Sequence, residues 1–316
     1  MAKGMDMANY LVTGGAGFIG SNIVHALVKK GKKVRILDDF STGKRENLRE
    51  LEDKVEIVEG TICNLATCRL AVEGIKYVFH EAALPSVPRS VKDPLTSNEI
   101  NIGGTLNMLV AARDAKVDRF MFASSSSVYG DTPVLPKRED MPPGPLSPYA
   151  VNKLTGEHYC RIFHSLYGLK TYILRYFNVF GPRQDLHSHY AAVIPLFVSA
   201  VKRNVSPTIF GDGNQTRDFT FIDDVVSGNL CCCKAPEKGA GQVYNLACGG
   251  RITVNDLANN IIKIMGSKVK PVHLPPRAGD VRDSQADSRR ARRILGWKPS
   301  GKFEDGLRST VEWALT

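Results

Sequence analysis

From Asn9 to Ser127 the chain alternates short runs rich in β-branched and aromatic residues with longer stretches of helical periodicity. The runs Tyr10-Leu11-Val12, Lys33-Val34-Arg35-Ile36-Leu37, Val55-Glu56-Ile57-Val58, Tyr77-Val78-Phe79-His80 and Arg119-Phe120-Met121-Phe122-Ala123 predict strands. Helices are predicted near 18–30, 66–73 and 98–115, then over about 147–167, ahead of a strand at Thr171-Tyr172-Ile173-Leu174-Arg175. Strand–helix alternation of this kind predicts an α/β fold with a doubly wound parallel sheet. Beyond Asn178 the texture changes: Gly, Pro and polar residues become frequent, the elements shorten, and Leu274-Pro275-Pro276-Arg277 leads into the C-terminal segment. A smaller α/β lobe is expected there.

The first apolar run passes directly into Gly14-Gly15-Ala16-Gly17-Phe18-Ile19-Gly20, which opens the first helix. That is the context of a dinucleotide fingerprint: glycines let the backbone approach a pyrophosphate, and the helix N-terminus offers it unpaired N–H groups. The second strand ends at Asp38-Asp39, about 20 residues further on, where a carboxylate can accept from ribose hydroxyls and repel a 2′-phosphate. Lys44 and Arg45 stand nearby, but the carboxylates favour NAD over NADP. The reading is a Rossmann-type domain over 1–177, to which the chain returns around 218–246, and a smaller substrate-binding domain over 178–316.

Tyr149 and Lys153 stand four apart in the helix predicted over 147–167, so both reach one point in space. An ammonium beside a phenol favours the phenolate, giving a general base that works near neutral pH. A hydroxyl from the run Ser124-Ser125-Ser126-Ser127 would hold the oxygen whose proton is taken. The tyrosine–lysine spacing is common in helices, and it gains weight from the nucleotide-binding start.

Composition narrows the classes. A 316-residue chain with 43% hydrophobic and 23% charged residues is an ordinary globular protein of roughly two domains. No run reaches the apolar length of a membrane span and no signal-peptide core follows Met1, so a cytoplasmic protein is expected and the sequons at Asn204 and Asn214 are read as chance matches. The seven cysteines lack metal-ligand spacing; Cys231-Cys232-Cys233 fall in an apolar helical stretch and read as small hydrophobes. The net charge of +10 is spread along the chain without a basic aromatic motif, which argues against nucleic acid and suits an anionic substrate.

Together these motifs, with His80-Glu81-Ala82-Ala83, Ser124-Ser125-Ser126-Ser127-Val128-Tyr129-Gly130, Ser147-Pro148-Tyr149, Arg175-Tyr176-Phe177-Asn178-Val179-Phe180-Gly181-Pro182 and Thr216-Arg217-Asp218-Phe219, resemble the extended short-chain dehydrogenase/reductases, in particular the UDP-hexose 4-epimerases. The resemblance runs from about residue 9 to the C-terminus. It implies that Tyr149 takes the C4 hydroxyl proton while C4 passes hydride to NAD, that Ser125 holds the oxygen, and that Lys153 lowers the Tyr149 pKa and binds the nicotinamide ribose. The 4-keto sugar then turns over and receives the hydride on its other face. Dehydratases carry Asp-Glu, and decarboxylases keep the Glu, where this chain has Ser126 and Ser127, which favours an epimerase. Another NAD-dependent sugar-nucleotide enzyme of those kinds, and a non-catalytic NAD or UDP-sugar sensor, are the competing readings.

The resemblance also implies NAD contacts at Gly14, Gly17, Phe18, Ile19, Gly20, Asp38, Asp39, Ala82, Ala83 and Asn101. It implies substrate contacts at Ser86, Ser125, Ser126, Asn178, Ala192, Val193, Phe210, Arg217, Arg277, Asp280 and Ser284. Asn178, Arg217 and Arg277 would hold the UDP phosphates, Asp280 the uridine ribose, and Phe210 would flank the uracil. Each has a structural alternative, such as an Arg217–Asp218 ion pair or Phe210 as core. Small Ser284 would leave room beside the sugar C2 for an N-acetyl group, and Ser86 lies in a stretch similar to N-acetylhexosamine epimerases, so UDP-GlcNAc/UDP-GalNAc is expected together with UDP-Glc/UDP-Gal. Two departures stand out: Thr61 where relatives have an adenine-contacting Asp, and Pro85 in place of a Lys. A homodimer is expected through a four-helix bundle built from the helices near 98–115 and 147–167.

Overall fold

The computed structural model describes residues 8–186, 192–276 and 282–316. The apolar runs form strands β1 (Tyr10–Thr13), β2 (Val34–Asp38), β3 (Val55–Glu59), β4 (Tyr77–His80), β5 (Arg119–Ser125) and β6 (Lys170–Tyr176). Between them lie α1 (Phe18–Lys29), α2 (Leu65–Val72), α3 (Val87–Lys92), α4 (Pro94–Asn98), α5 (Thr105–Asp114) and α6 (Pro148–Tyr167). After β7 (Val179–Phe180) come α7 (Val193–Lys202), β8 (Thr208–Phe210), β9 (Thr216–Arg217), β10 (Thr220–Phe221), α8 (Ile222–Cys232) and β11 (Gln242–Leu246). The chain closes with β12 (Ile252–Thr253), α9 (Val254–Ile264), β13 (Val272–Leu274), α10 (Arg289–Leu295) and α11 (Phe303–Leu315).

Seven strands make one parallel sheet in the order β3-β2-β1-β4-β5-β6-β11. Its faces are apolar because parallel strands are covered on both sides by crossover helices. Ile23, Val24, Leu27, Val225 and Leu295 pack under one face, and Cys68, Met108, Leu109, Cys160 and Phe163 under the other. The direction of winding reverses between β1 and β4, so the loops after these strands part and leave a crevice at their carboxyl ends. A further core, with Phe180, Phe197, Val198, Leu257, Ile261 and Val311, gathers α7, α9 and α11. Three two-stranded pairs, β7 with β10, β9 with β12 and β8 with β13, accompany it.

One predicted element breaks differently. The helix expected over 98–115 starts earlier, at Pro94 behind the cap Asp93, and widens into a π-turn over Glu99–Gly104 before α5. The Thr105 hydroxyl reaches back to the Asn101 carbonyl at 2.7 Å, and Gly103-Gly104 offers no side chain to fill the normal spacing. The widened turn carries Asn101 to the edge of the crevice. By contrast α6 obeys its local signals. Ser147 caps it by accepting from the Ala150 N–H at 3.2 Å, Pro148 takes the first position, and Gly168 ends it at φ 72°.

Candidate functional site

A cavity of about 830 Å³ opens at the carboxyl ends of β1, β2, β4, β5 and β6. Its floor is the glycine loop. Gly14 has φ +66°, and a Cβ there would lie 2.8 Å from the Ala82 backbone; a Cβ on Gly20 would lie 2.1 Å from the Gly14 carbonyl oxygen. Only bare backbone lets the loop, the wall at Ala82 and the start of α1 meet. Gly17 caps α1 without any side-chain hydrogen bond, so the first amides of the helix are left for an anion. Asp38 knits the loop to the end of β2, accepting from the Ala16 N–H at 2.8 Å and the Phe40 N–H at 2.9 Å. Asp39 beside it is exposed and holds Ser41. Gly14, Gly17, Phe18, Ile19, Gly20, Asp38, Asp39, Ala82 and Ala83 all line this cavity, as do Thr61 and Pro85. A bare helix N-terminus, two carboxylates at the β2 end and a cleft of this length fit NAD.

The wall at Ala82–Leu84 is held from behind by a buried relay. The Ala82 N–H donates to Thr13 Oγ1 at 3.2 Å, and Thr13 Oγ1 lies 2.8 Å from His80 Nδ1. On the other side Thr105 Oγ1 lies 3.0 Å from His80 Nε2. The Thr105 hydroxyl is spent on the Asn101 carbonyl, so Nε2 carries the proton and Nδ1 accepts. Asn101 grips Leu84 twice, accepting its N–H at 2.7 Å and donating to its carbonyl at 3.1 Å. Expected as an NAD contact, Asn101 sits behind the cavity wall rather than among its lining residues.

Tyr149 and Lys153 reach the cavity from the first turns of α6. The Tyr149 N–H donates to Ser90 Oγ at 3.0 Å, which ties α6 to α3. The Tyr149 phenol lies close enough to Ser125, at the end of β5, for that hydroxyl to pull its pKa down. Ser125 Oγ also accepts from the Ser127 N–H at 3.1 Å, and Ser126 opens a short 3₁₀ turn. The serine run is fixed from beneath: Ser124 donates to Glu157 at 2.5 Å, and Glu157 is clamped by Arg175 at 2.8 and 2.7 Å. Lys153 Nζ lies 5.9 Å from the centre of the Tyr149 ring and donates to the Ala123 carbonyl at 2.8 Å.

In the protein alone, burial works against the acidification of Tyr149 expected from Lys153. Burial pushes Tyr149 up to about 12, Ser125 pulls it down, and Glu81 pushes it up. Lys153 is itself lowered to about 8 by burial, with Glu81 acting the other way. Spacing puts the two groups near one another, but the dry pocket opposes both charges, and burial is the largest influence on each. The protein alone therefore holds a neutral phenol.

Of the substrate residues, Ser86, Asn178 and Ala192 line the cavity. Ser86 adopts φ 103°, a strained backbone for serine, and its Oγ caps α3 by accepting from the Arg89 N–H at 3.3 Å. Ser284 is buried and accepts from the Asn178 amide at 3.2 Å and from the Asp218 N–H at 3.1 Å. Val193 begins α7 and packs on the second core. Phe210 ends β8, its carbonyl accepting from Gln215 at 2.7 Å. Arg217 donates to the carbonyls of Thr216 and Arg282, each at 3.0 Å. Arg277 and Asp280 lie outside the described residues.

The cavity also contains residues to which the sequence reading gave no role: Glu81, Arg89, Tyr176 and Arg183. Glu81 and Tyr176 stand at or just past the ends of parallel strands, which is the signal that could have found them. A strap crosses the mouth where Lys44 pairs with Asp185 at 2.8 Å and Arg183 donates to Asn22 at 2.8 Å.

The glycine loop, its carboxylates and the Ser125–Tyr149–Lys153 set at a parallel-sheet switch point define a nucleotide-dependent oxidoreductase-type site. The NAD dependent epimerase/dehydratase family matches residues 10–247, and the chain belongs to that family. It is 41% identical to the UDP-glucose 4-epimerase of Mycolicibacterium smegmatis over 96% of this chain and 97% of that protein. Among solved structures it is similar to a UDP-N-acetylglucosamine 4-epimerase from Methanobrevibacter ruminantium in complex with UDP-N-acetylmuramic acid, with a TM-score of 0.93 and 41% identity over 98% of this chain and 99% of that one. It is also similar to the UDP-glucose 4-epimerase of Thermotoga maritima with UDP-glucose, with a TM-score of 0.92 and 39% identity over 97% and 98% of the two chains.

Proposed function

We propose that this protein is an NAD-dependent UDP-sugar 4-epimerase that interconverts UDP-GlcNAc with UDP-GalNAc and also turns over UDP-Glc and UDP-Gal. The observation that carries the reading is Tyr149 with Lys153 Nζ 5.9 Å from its ring, both on the wall of a cavity floored by the glycine loop. When bound, NAD supplies the hydride acceptor and donor for C4 and a positive charge near the phenol.

The chain's own residues do the rest. The Tyr149 oxygen takes the proton of the C4 hydroxyl and gives it back after the 4-keto sugar has turned over, so no proton is lost in a cycle. Ser125 donates to the same oxygen and holds it against Tyr149. Lys153 supplies positive charge that the bound complex needs to make the phenolate accessible. Asn178, positioned by Ser284, serves the diphosphate together with Arg217 and Arg277, and Asp280 holds the uridine ribose. The absence of carboxylates at Ser126 and Ser127 speaks against dehydration and decarboxylation. The assignment of residues 1–177 with 218–246 to the NAD-binding domain, and of the remainder to the sugar-nucleotide lobe, is part of this reading, supported by the separate core around α7, α9 and α11.

The test is incubation of the purified protein with UDP-GlcNAc, without added NAD, followed by NMR and mass spectrometry. UDP-GalNAc at unchanged mass is expected. A product lighter by the mass of water, or of carbon dioxide from the corresponding uronate, would replace the epimerase reading with one of its relatives' chemistries. Inertness towards both sugar pairs would favour the sensor.

A further inference from the structure

The strap after β7 brings Arg183 to the cavity wall, and neither the fingerprint nor the proposed proton transfer uses its charge. The strap is fixed at its base and again at its middle. At the base, Gly181 has φ +153° and leaves no room for a Cβ against Ile222 at the start of α8. At the middle, Asn22, buried in α1, holds two successive residues with one amide. Its Nδ2 donates to the Pro182 carbonyl at 3.1 Å, and its Oδ1 accepts from Arg183 Nη1 at 2.8 Å. The same Nδ2 donates to the Phe18 carbonyl at 2.8 Å, which locks the amide's orientation. Arg183 adopts φ 70°, a costly conformation for a residue with a Cβ, so these contacts hold a strained turn in place.

Asn22 stands one turn into α1, and helical side chains lean towards the N-terminus. The guanidinium it holds is therefore beside the helix end whose first amides carry no side-chain cap. Among the described residues, Arg183 donates only to this neutral amide and forms no ion pair. Lys44 is different. Its backbone N–H is tied to the Ala16 carbonyl of the glycine loop at 3.0 Å, but its ammonium is neutralised by Asp185. Asp38 and Asp39 add negative charge at the β2 end, and a helix N-terminus supplies only about half a positive charge, too little for a diphosphate. We propose that Arg183 is a ligand of the NAD diphosphate, held by Asn22 so that the free edge of its guanidinium takes phosphate oxygens. A guanidinium suits the task because its planar fork binds phosphate bidentately. The proposal rests on the NAD-binding part of the function above and on none of its sugar chemistry.

The test is calorimetry on the full chain stripped of nucleotide, with ADP, adenosine and UDP as probes. R183Q is expected to bind ADP ~10–100-fold more weakly than the wild type, with adenosine binding unchanged. An Arg183 that only fastens the strap to α1 predicts equal weakening of ADP and adenosine, or none, and either result overturns the proposal. Weakened UDP with unchanged ADP puts the arginine at the other diphosphate and overturns it as well. If R183Q does not fold, R183K serves, since it keeps the charge and loses the fork: weaker ADP with unchanged adenosine is expected, and any other pattern overturns the proposal. If stripping unfolds the protein, release of bound NAD from the holoenzyme is timed at low and high KCl. R183Q is expected to release NAD ~10-fold faster and with a weaker salt dependence, and a salt dependence equal to that of the wild type overturns the proposal. A wild type that binds no ADP overturns the nucleotide site and the proposal together. One that binds ADP yet epimerises no sugar overturns the epimerase reading alone, and the ADP comparison still decides on Arg183.

Discussion

The Asn178 amide donates to Ser284 Oγ at 3.2 Å, joining the residue two past β6 to a segment 106 positions downstream. Asn178 lines the cavity with a strained φ of 35°, and Ser284 also anchors the Asp218 N–H, so one small buried hydroxyl positions a loop that faces the cavity. A tyrosine at 284 cannot occupy this site without moving towards the cavity or displacing Asn178. Ser284→Tyr is expected to lower kcat/KM for UDP-GlcNAc at least ~10-fold more than for UDP-Glc. An equal loss for both sugars removes the proposed gate. Ser284→Ala should leave the sugar preference alone and cost ~1–3 kcal/mol of stability, read by urea unfolding, because the buried Asp218 N–H loses its acceptor and the Asn178 amide loses one of two.

Tyr149→Phe removes the oxygen proposed to exchange the C4 proton and keeps the ring that lines the cavity. Turnover should fall by ~10²–10⁴-fold while calorimetry reports unchanged NAD and UDP affinity. Retained turnover in this variant would refute the assigned base.

His80 offers a stability test with a definite sign. Burial lowers it from 6.5 to about 3, with Lys153 adding to the effect, and both ring nitrogens are engaged by threonines. Its contribution to stability is present above pH 6.5 and is lost as pH falls towards 3, at up to ~1.4 kcal/mol per unit. Glu81 and Asp218, each raised to about 7 chiefly by burial, act oppositely: theirs is full at acid pH and lost as pH rises through 7. Comparison of wild type with His80→Asn isolates the histidine. The stability advantage of the wild type should shrink from pH 7 to pH 5 in urea unfolding, and a constant difference would show that His80 is not the group titrating.

Helix α6 leaves Val151, Ile162 and Leu166 exposed along one stripe, with Leu166 70% exposed, and Val91 and Leu95 stand out on α3 and α4 beside it. A contiguous apolar face of this kind suits burial against a second copy. We infer a homodimer through α5 and α6. Ile162→Glu combined with Leu166→Glu should halve the mass measured by light scattering, with circular dichroism unchanged. A monomeric wild type refutes the dimer outright.

The amino-acid sequence by itself determined the parallel sheet, because runs such as Tyr77-Val78-Phe79 and Tyr172-Ile173-Leu174 are apolar on both faces and separated by helical spacing. It also determined the glycine loop and the facing of Tyr149 and Lys153, since these follow from backbone sterics and from 3.6 residues per turn. What it did not determine is how charge behaves once those groups meet. Spacing brings an ammonium near a phenol, but only the packing of β4, β6 and α6 decides that both are dry, that Lys153 leans on the Ala123 carbonyl, and that Tyr176 holds Glu81. Asn101 was legible as a site residue yet not as a brace behind the wall, because the π-turn that moves it depends on a bond from Thr105. Periodicity is local and survives in one dimension; desolvation is a property of everything that surrounds a group, and exists only in the folded chain.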